Sequence, residues 1–120
     1  MVFVVDTVEV DGADVAPYLG ALGALCVPVM TEAGAALVAC RRSHPDAGSP
    51  VTVEVTWGAP DYEHWNEIRR RLVLDPRWYE WGRVAAATRR GGTRRFLHDA
   101  VPEVAAPSDS PGEGRGAAAF

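Results

Sequence analysis

The stretch Trp57–Trp81, WGAPDYEHWNEIRRRLVLDPRWYEW, decides the fold, because one strand ends in it and two helices begin in it. Residues 51–57 alternate apolar and polar side chains, as a half-buried strand does. Asp61 is the predicted N-cap of the first helix, and Asp75-Pro76 opens the second with proline at the first helical position. All four tryptophans lie here, so we expect packing and any chemistry to meet in this stretch.

Upstream, the pattern predicts a strand, a helix and a second strand. Residues 2–10 are rich in valine and read as a strand. Apolar residues recur every three or four positions between residues 15 and 29, which predicts a helix that Pro28 kinks or stops. Gly34 is expected to reverse the chain before a strand over residues 35–42, and residues 43–50 to form a loop.

Downstream, we expect Gly91-Gly92 to end the helix that starts at Pro76, and residues 93–98 to form a last strand. Beyond Ala100, Ala, Pro, Gly, Ser and Asp dominate and the periodicity disappears. The sequence therefore predicts one domain, residues 1–99, followed by a disordered Ala/Pro/Gly-rich tail, residues 100–120.

The predicted order is β-α-β-β-α-β, an α+β, ferredoxin-like arrangement with a four-stranded antiparallel sheet and helices on one face. Strand 2–10 offers no clearly polar outer face, because Phe3 and Val5 alternate with Val4 and Val8. The uncovered face of the sheet then needs a partner, and a homodimer is the economical solution.

Composition narrows the class of protein. A chain of 120 residues with 48% hydrophobic content suffices for one domain with a modest core. The net charge of −4 argues against a nucleic-acid partner, and the use of Arg with no Lys is typical of a GC-rich genome. Cys26 and Cys40 are expected to be core residues without a disulfide. The start lacks the basic region of a signal peptide, and we see no apolar run of about 20 residues, so we expect a cytoplasmic protein with no membrane contact.

Two residues are candidate catalytic groups. His64 lies at the edge of the apolar stripe of its helix, where its imidazole could point toward a cavity and act as a general acid or base. A partly solvated histidine is the simpler interpretation. Asp6 interrupts a valine-rich strand, where an unpaired carboxylate would be costly to bury. It is expected to face water, to pair with Arg41 or Arg42, or to serve proton transfer.

Other residues are candidates for binding a substrate. The aromatic side chains are dense for a chain with 8% aromatics and suit a flat apolar ligand, although core packing explains most of them equally well. Glu54 belongs to a polar strip of its strand that could line a cavity or a dimer seam. The substrate-binding candidates are Trp57, Tyr62, Trp65, Glu54 and Arg42. The arginine runs are expected to be solvated, and no metal-ligand cluster, nucleotide loop or nucleophile motif is visible. A haem would need a histidine that faces an apolar pocket, and only His64 is placed for that role.

Several segments together resemble the NIPSNAP-like branch of the dimeric α+β barrel, ferredoxin-like superfamily. They are Leu25-Cys26-Val27-Pro28, Gly34 before a strand, Val53-Glu54-Val55-Thr56-Trp57 and Leu74-Asp75-Pro76-Arg77-Trp78. The resemblance covers residues 2–98 and implies a homodimer with a cavity between the sheet and helices of each subunit. Asp6 stands where many relatives carry Arg, and Ala59 where a Tyr often follows, so relatives' site roles do not transfer to these positions.

Together these observations favour a small cofactor-independent enzyme acting on a hydrophobic, aromatic or polyketide-like molecule in a secondary-metabolite pathway. Cyclisation, isomerisation or dehydration by acid/base catalysis is the first hypothesis. A cofactor-free monooxygenase of an aromatic substrate and a non-catalytic ligand-binding or accessory protein are the alternatives. Fold alone does not choose between them.

Overall fold

The computed structural model describes residues 1–44 and 49–105, and it begins with two β-strands on either side of a long helical run. β1 is Val2–Val10 and β2 is Ala36–Arg42. The run between them combines a 3-10 turn, Gly12–Asp14, helix α1, Val15–Ala21, a π turn, Leu22–Cys26, and helix α2, Val27–Ala33. Gly34 ends the run with φ of 113°, a left-handed conformation that favours glycine, and the chain reverses there as predicted.

The second half of the chain adds the other two strands of the sheet and three more helices. β3 is Val51–Ala59, α3 is Tyr62–Leu72, α4 is Pro76–Thr88 and β4 is Arg89–His98, followed by the short helix α5, Val101–Ala105. The caps follow the predicted chemistry. The Asp61 carboxylate accepts a hydrogen bond from the backbone N–H of His64 (2.8 Å), and that of Asp75 accepts one from the N–H of Arg77 (2.9 Å).

The four strands form one antiparallel sheet in the order β2-β3-β1-β4. This is the predicted ferredoxin-like α+β architecture. In β1, Val2, Val4, Val8 and Val10 belong to the core, and Asp6 shares their face because side chains alternate. The helices pack on this inner face. The outer face carries Phe3, Val5 and Thr7 of β1, and the side chains that register with them on the neighbouring strands.

The core is the interface between the inner face of the sheet and the helices. Trp57 and Trp65 are its largest side chains, each 2% exposed. Tyr18 packs against Trp81 with ring centroids 5.4 Å apart, which joins α1 to α4. Arg77 anchors the start of α4 by bonding both the Asp75 carboxylate and that of Glu32 on α2.

Pro28 does not stop the first helix, although a stop was one of the two outcomes, a kink or a stop, that the sequence predicts. The helix passes through it to Ala33, because the wider π turn directly before Pro28 accommodates a ring that would clash with the carbonyl of the preceding turn. The complete run, Gly12–Ala33, has 22 residues, and an 18-residue window within it has a mean hydropathy of 1.5, so it is long and apolar enough to cross a membrane by length and composition alone. The prediction that no apolar run reaches about 20 residues is therefore wrong. One side of this helix packs on the core through Tyr18, Leu22, Cys26 and Met30, as a core helix of a globular domain does.

Gly91-Gly92 lies inside β4 and not at the end of the preceding helix. The helix already ends at Thr88, and β4 begins at Arg89, earlier than predicted. Gly92 registers with Val8 of β1, and a Cβ there would lie 2.9 Å from Val8 Cγ1 and 3.2 Å from the Thr7 carbonyl oxygen. Glycine at position 92 therefore allows β4 to lie close to β1, and it does not form a turn.

The remaining expectations concern the C-terminal tail, the loop over residues 43–50 and the two cysteines. Residues 101–105 form a short helix where the sequence predicts a disordered tail. The rest of the predicted tail, residues 106–120, and the centre of the predicted loop, residues 45–48, lie outside the described residues. Cys26 is buried as expected, Cys40 is exposed, and both are free thiols.

Candidate functional site

A cavity of about 400 Å³ opens between the inner face of the sheet and the helices. We call it the main cavity. β1, β3 and β4 form its floor, and α1, the π turn, α2 and α4 form its walls. Most of the residues that line it are apolar or aromatic: Val8, Val55, Trp57, Tyr18, Leu22, Cys26, Met30, Trp78, Trp81 and Ala85. The polar residues at its surface are Asp6, Thr93, Arg89 and Arg94. Its size and lining are those of a pocket for a small molecule.

An ion pair between Asp6 and Arg94 interrupts this apolar lining. Arg94 Nε donates to one carboxylate oxygen of Asp6 at 2.6 Å, and Nη2 donates to the other at 2.9 Å. The side chains are 24% and 41% exposed, so the pair is neither fully buried nor freely solvated. The hydrogen bond to Asp6 raises the pKa of Arg94 above its usual value. Both groups therefore face the cavity as a bidentate, charge-assisted pair.

The partner of Asp6 differs from the prediction. Arg41 and Arg42 were expected to pair with it, but they belong to β2, and β3 lies between β2 and β1. Asp6 instead registers directly opposite Arg94 of β4. The strand order decides the partner.

Two other ionisable groups of the main cavity stay neutral. Burial raises the pKa of Tyr18 to about 12. Burial, with the negative charge of Asp6 as a smaller cause, raises the pKa of the Cys26 thiol to about 12. A thiol with so high a pKa is a poor nucleophile at neutral pH. This leaves Asp6 as the cavity carboxylate suited to accept a proton.

A second, smaller cavity of about 240 Å³ lies beside the main one. We call it the side cavity. It is lined by Met30, Trp65, Arg69, Leu72, Val73, Trp78 and Arg94, and three of these, Met30, Trp78 and Arg94, also line the main cavity. The guanidinium carbon of Arg94 lies 5.4 Å from the ring centroid of Trp65, a cation–π contact. The Trp65 indole Nε1 is buried and has no hydrogen-bond partner among the described residues.

Three of the residues proposed from the sequence line these cavities. Asp6 and Trp57 face the main cavity, and Trp65 faces the side cavity. Trp57 is 2% exposed and forms part of the floor, so it serves both core and lining.

The structure places the other four proposed residues elsewhere. His64, expected to point toward a cavity, has a side chain that is 62% exposed, and its Nδ1 lies 2.7 Å from the Asp61 carboxylate. Tyr62 packs on Phe96 near the C-terminal end of β4, with ring centroids 5.7 Å apart. Glu54 lies on the outer face of the sheet, in register with Thr7 and Arg41, away from both cavities.

Arg42 also lies outside the site. It registers with Val53 at the end of β2, where its side chain is exposed, and it lines neither cavity.

Sequence reasoning missed Arg94, the residue that links the two cavities. The run Arg94-Arg95 reads as a solvated pair, as the neighbouring arginines do. A signal was present: Arg94, Phe96 and His98 share one face of their strand by alternation, and an apolar Phe96 points to the inner face. Trp78 and Trp81 were assigned to the core and also wall the main cavity.

The described part of the chain shows no candidate metal site. Within residues 1–44 and 49–105, no group of three or more His, Cys, Asp or Glu side chains is arranged to hold a metal ion.

Comparison with solved structures identifies the fold. A NIPSNAP domain protein from Burkholderia xenovorans superposes with a TM-score of 0.70 at 23% identity, over 90% of this chain and 100% of that one. A NIPSNAP family protein of unknown function from Agrobacterium tumefaciens has a TM-score of 0.70 at 17% identity, over 92% of both chains. The protein thus has the ferredoxin-like fold of the NIPSNAP family structures, as the resemblance in the sequence predicts.

The same fold extends to a more distant group. A protein described as a putative antibiotic biosynthesis monooxygenase from Nitrosomonas europaea has a TM-score of 0.63 at 10% identity, over 82% of this chain and 98% of that one. Neither a protein-family model nor a curated protein sequence matches the chain. At these identities the likeness concerns the fold, and activity has to be argued from the cavity.

Proposed function

We propose that the protein is a small enzyme that binds a hydrophobic, aromatic or polyketide-like molecule in the main cavity and moves a proton with Asp6, without a cofactor. The observation that carries this proposal is the Asp6–Arg94 pair, a base and a cation in contact, on the wall of an otherwise largely apolar cavity of about 400 Å³. Tyr18, Trp78 and Trp81 supply aromatic walls for a flat substrate.

The proposed step is proton abstraction next to a carbonyl group. Asp6 removes a proton from the carbon, and the electron pair moves onto the carbonyl oxygen as an enolate. The Arg94 guanidinium stabilises the negative oxygen. Each carboxylate oxygen of Asp6 accepts only one bond from Arg94 and keeps a lone pair for the incoming proton. Return of the proton to another carbon gives isomerisation. Attack of the enolate on a second carbonyl gives cyclisation, and the resulting alkoxide takes the proton from Asp6. Expulsion of a hydroxyl group β to the carbonyl gives dehydration, and the departing hydroxide takes the proton from Asp6 and leaves as water.

A cofactor-free monooxygenase is the second candidate. It is favoured by the structural likeness to the protein described as an antibiotic biosynthesis monooxygenase. The same deprotonation by Asp6 would begin this reaction, because an electron-rich aromatic anion can itself donate electrons to oxygen. A non-catalytic ligand-binding protein would use the same cavity without proton transfer.

We also propose that the enzyme works as a cytoplasmic homodimer. The free thiols of Cys26 and Cys40 suit a reducing compartment. The outer face of the sheet carries apolar side chains that the helices do not cover, including Leu97, which is 42% exposed. Burying this face against a second copy would remove it from water.

Deuterium exchange at a carbon acid tests the proton-transfer step. The probe is 2-tetralone, a bicyclic ketone with acidic C–H groups, followed by NMR in D₂O with full-length protein. We expect wild-type protein to accelerate exchange and Asp6→Asn to lower that acceleration about 100-fold or more, since a general base contributes about 10²–10⁴-fold. His64→Ala is the matched control, because it removes a titratable side chain outside both cavities, and its exchange rate should stay at the wild-type level.

Circular dichroism confirms that each variant is folded. Exchange by Asp6→Asn at the wild-type rate, or loss of exchange in His64→Ala alone, would contradict the assignment of the base. Wild-type protein that neither binds nor exchanges the ketone would contradict the proposed substrate class.

A further inference from the structure

Two guanidinium groups line the side cavity, those of Arg69 and Arg94, and no carboxylate does among the described residues. Trp65 also lines the cavity, but its indole N–H is fully buried and does not open onto it. The charge that the described residues present to the cavity is therefore positive.

Arg69 differs from its neighbours in the run Arg69-Arg70-Arg71. Arg70 donates to Glu67 at 2.7 Å, and Arg71 lies 3.6 Å from the same carboxylate. Arg69 makes no hydrogen bond or ion pair with any residue in the described part of the chain, and of the three it alone lines the side cavity. Arg94 likewise uses Nε and Nη2 for Asp6, and no described residue accepts from its Nη1. Arg69 is exposed to solvent. Both cationic side chains thus have N–H groups that a ligand in the side cavity can reach.

The remaining lining restricts the charge and shape of the occupant. Met30, Leu72, Val73 and Trp78 are apolar, so a doubly charged group would lose much hydration that these side chains cannot replace. A planar carboxylate has two oxygens that match the flat donor edges of guanidinium groups. A single negative charge between the two arginines satisfies both guanidinium groups.

We infer that the side cavity binds the carboxylate of an aryl or other hydrophobic carboxylic acid, whose body lies in the main cavity. The two cavities share Met30, Trp78 and Arg94, so one molecule can reach both. Arg94 then bonds Asp6 on one side and the substrate carboxylate on the other. The inference deepens the proposed function, on which it rests for the ligand in the main cavity, and it names the substrate class as an acid.

Binding of an acid and its ester tests the inference. The probes are 2-naphthoate and methyl 2-naphthoate, which share the ring system and differ in charge, titrated into full-length protein at pH 7 by calorimetry. We expect wild-type protein to bind the acid at least about tenfold more tightly, because hydrogen bonds to charged groups contribute about that much. Arg69→Gln should weaken binding of the acid about tenfold and leave the ester unchanged. Arg70→Gln, whose side chain pairs with Glu67 outside the cavity, is the matched control and should match wild type.

Equal affinity for acid and ester in wild-type protein, or equal loss in Arg69→Gln and Arg70→Gln, overturns the inference. Those results leave the proposed proton transfer intact, because its test uses a neutral ketone. Asp6→Asn separates the two further: it should lose exchange and still bind 2-naphthoate. If neither probe binds wild-type protein, the acid inference fails, whatever the exchange experiment shows.

Discussion

Asp6 and Arg94 show how one residue pair gives an apolar cavity its polarity. The carboxylate interrupts the valines of β1, and the cation opposite it on β4 offsets the cost of holding a charge there. The pair is bidentate, which fixes the orientation of both groups. The same fixed geometry presents carboxylate oxygens and a guanidinium edge to a ligand.

Alkaline pH should destabilise the protein through Tyr18 and Cys26. Burial raises the pKa of Tyr18 from 10.0 to about 12, and that of Cys26 from 9.0 to about 12. Between pH 9 and 12 the unfolded chain loses these protons while the folded protein keeps them. The unfolded state then binds fewer protons, so the free energy of unfolding falls as pH rises, by at most about 1.4 kcal/mol per pH unit for each group.

Urea unfolding at pH 7 and at pH 10.5 measures this loss. The double variant Tyr18→Phe/Cys26→Ala should lose less stability between the two pH values than wild type. Tyr79→Phe removes a phenol that is 61% exposed and serves as the control. An unchanged alkaline loss in the double variant would show that other groups cause it.

At the scale of elements, β4 matters most, because it carries Arg94 and borders both cavities. Its course is set by the close approach of Gly92 to β1, and its register with β1 places Arg94 opposite Asp6. Helix α4 completes the main cavity, and the bonds of Arg77 to Asp75 and Glu32 hold its first turn against α2. The position of the site therefore depends on two contacts, that of β4 with β1 and that of α4 with α2. Each contact joins elements that are far apart in the sequence.

Gly92→Ala should destabilise the protein and disturb the site. The added Cβ would lie 2.9 Å from the buried, β-branched Val8 and 3.2 Å from a backbone oxygen, so β4 must shift, at a cost of about 1–3 kcal/mol. Gly91→Ala is the matched control, because a Cβ there meets nothing within 4 Å. Thermal unfolding of the two variants measures the difference. Equal midpoints would mean that the strands are further apart than the structure shows.

At the scale of the whole molecule, the outer face of the sheet is the surface through which we propose that two copies associate. Val5 is 4% exposed yet lies outside the main core cluster, and apolar Leu97 and Val38 are partly exposed. We expect a homodimer formed through this face, with a mass near twice 12.9 kDa by native mass spectrometry. Thr56→Arg, a substitution on the outer face of the central strand β3, should shift the population toward monomer. A monomeric wild-type protein would exclude the proposed dimer.

Much of the architecture was predictable because it is local. Alternation in residues 51–57, the Asp61 and Asp75 caps and the left-handed Gly34 each depend on neighbours a few residues away. A helix stop at Pro28 does not occur, and the prediction for Gly91-Gly92 was wrong, for the opposite reason. A π turn accommodates the proline, and strand pairing uses the glycine, and neither is visible in a window of sequence.

The amino-acid sequence by itself determined the order of elements, the ferredoxin-like class and the identity of Asp6 as an unusual acid, because periodicity and capping act over short distances. Only the tertiary structure decided that Arg94 is the partner of Asp6, that His64 faces solvent and that Glu54 lies on the opposite side of the sheet. These relations depend on strand order and on which face each side chain occupies once β1 and β4 pair across 88 residues of chain. Contacts at that separation follow from packing, and short-range patterns do not specify them.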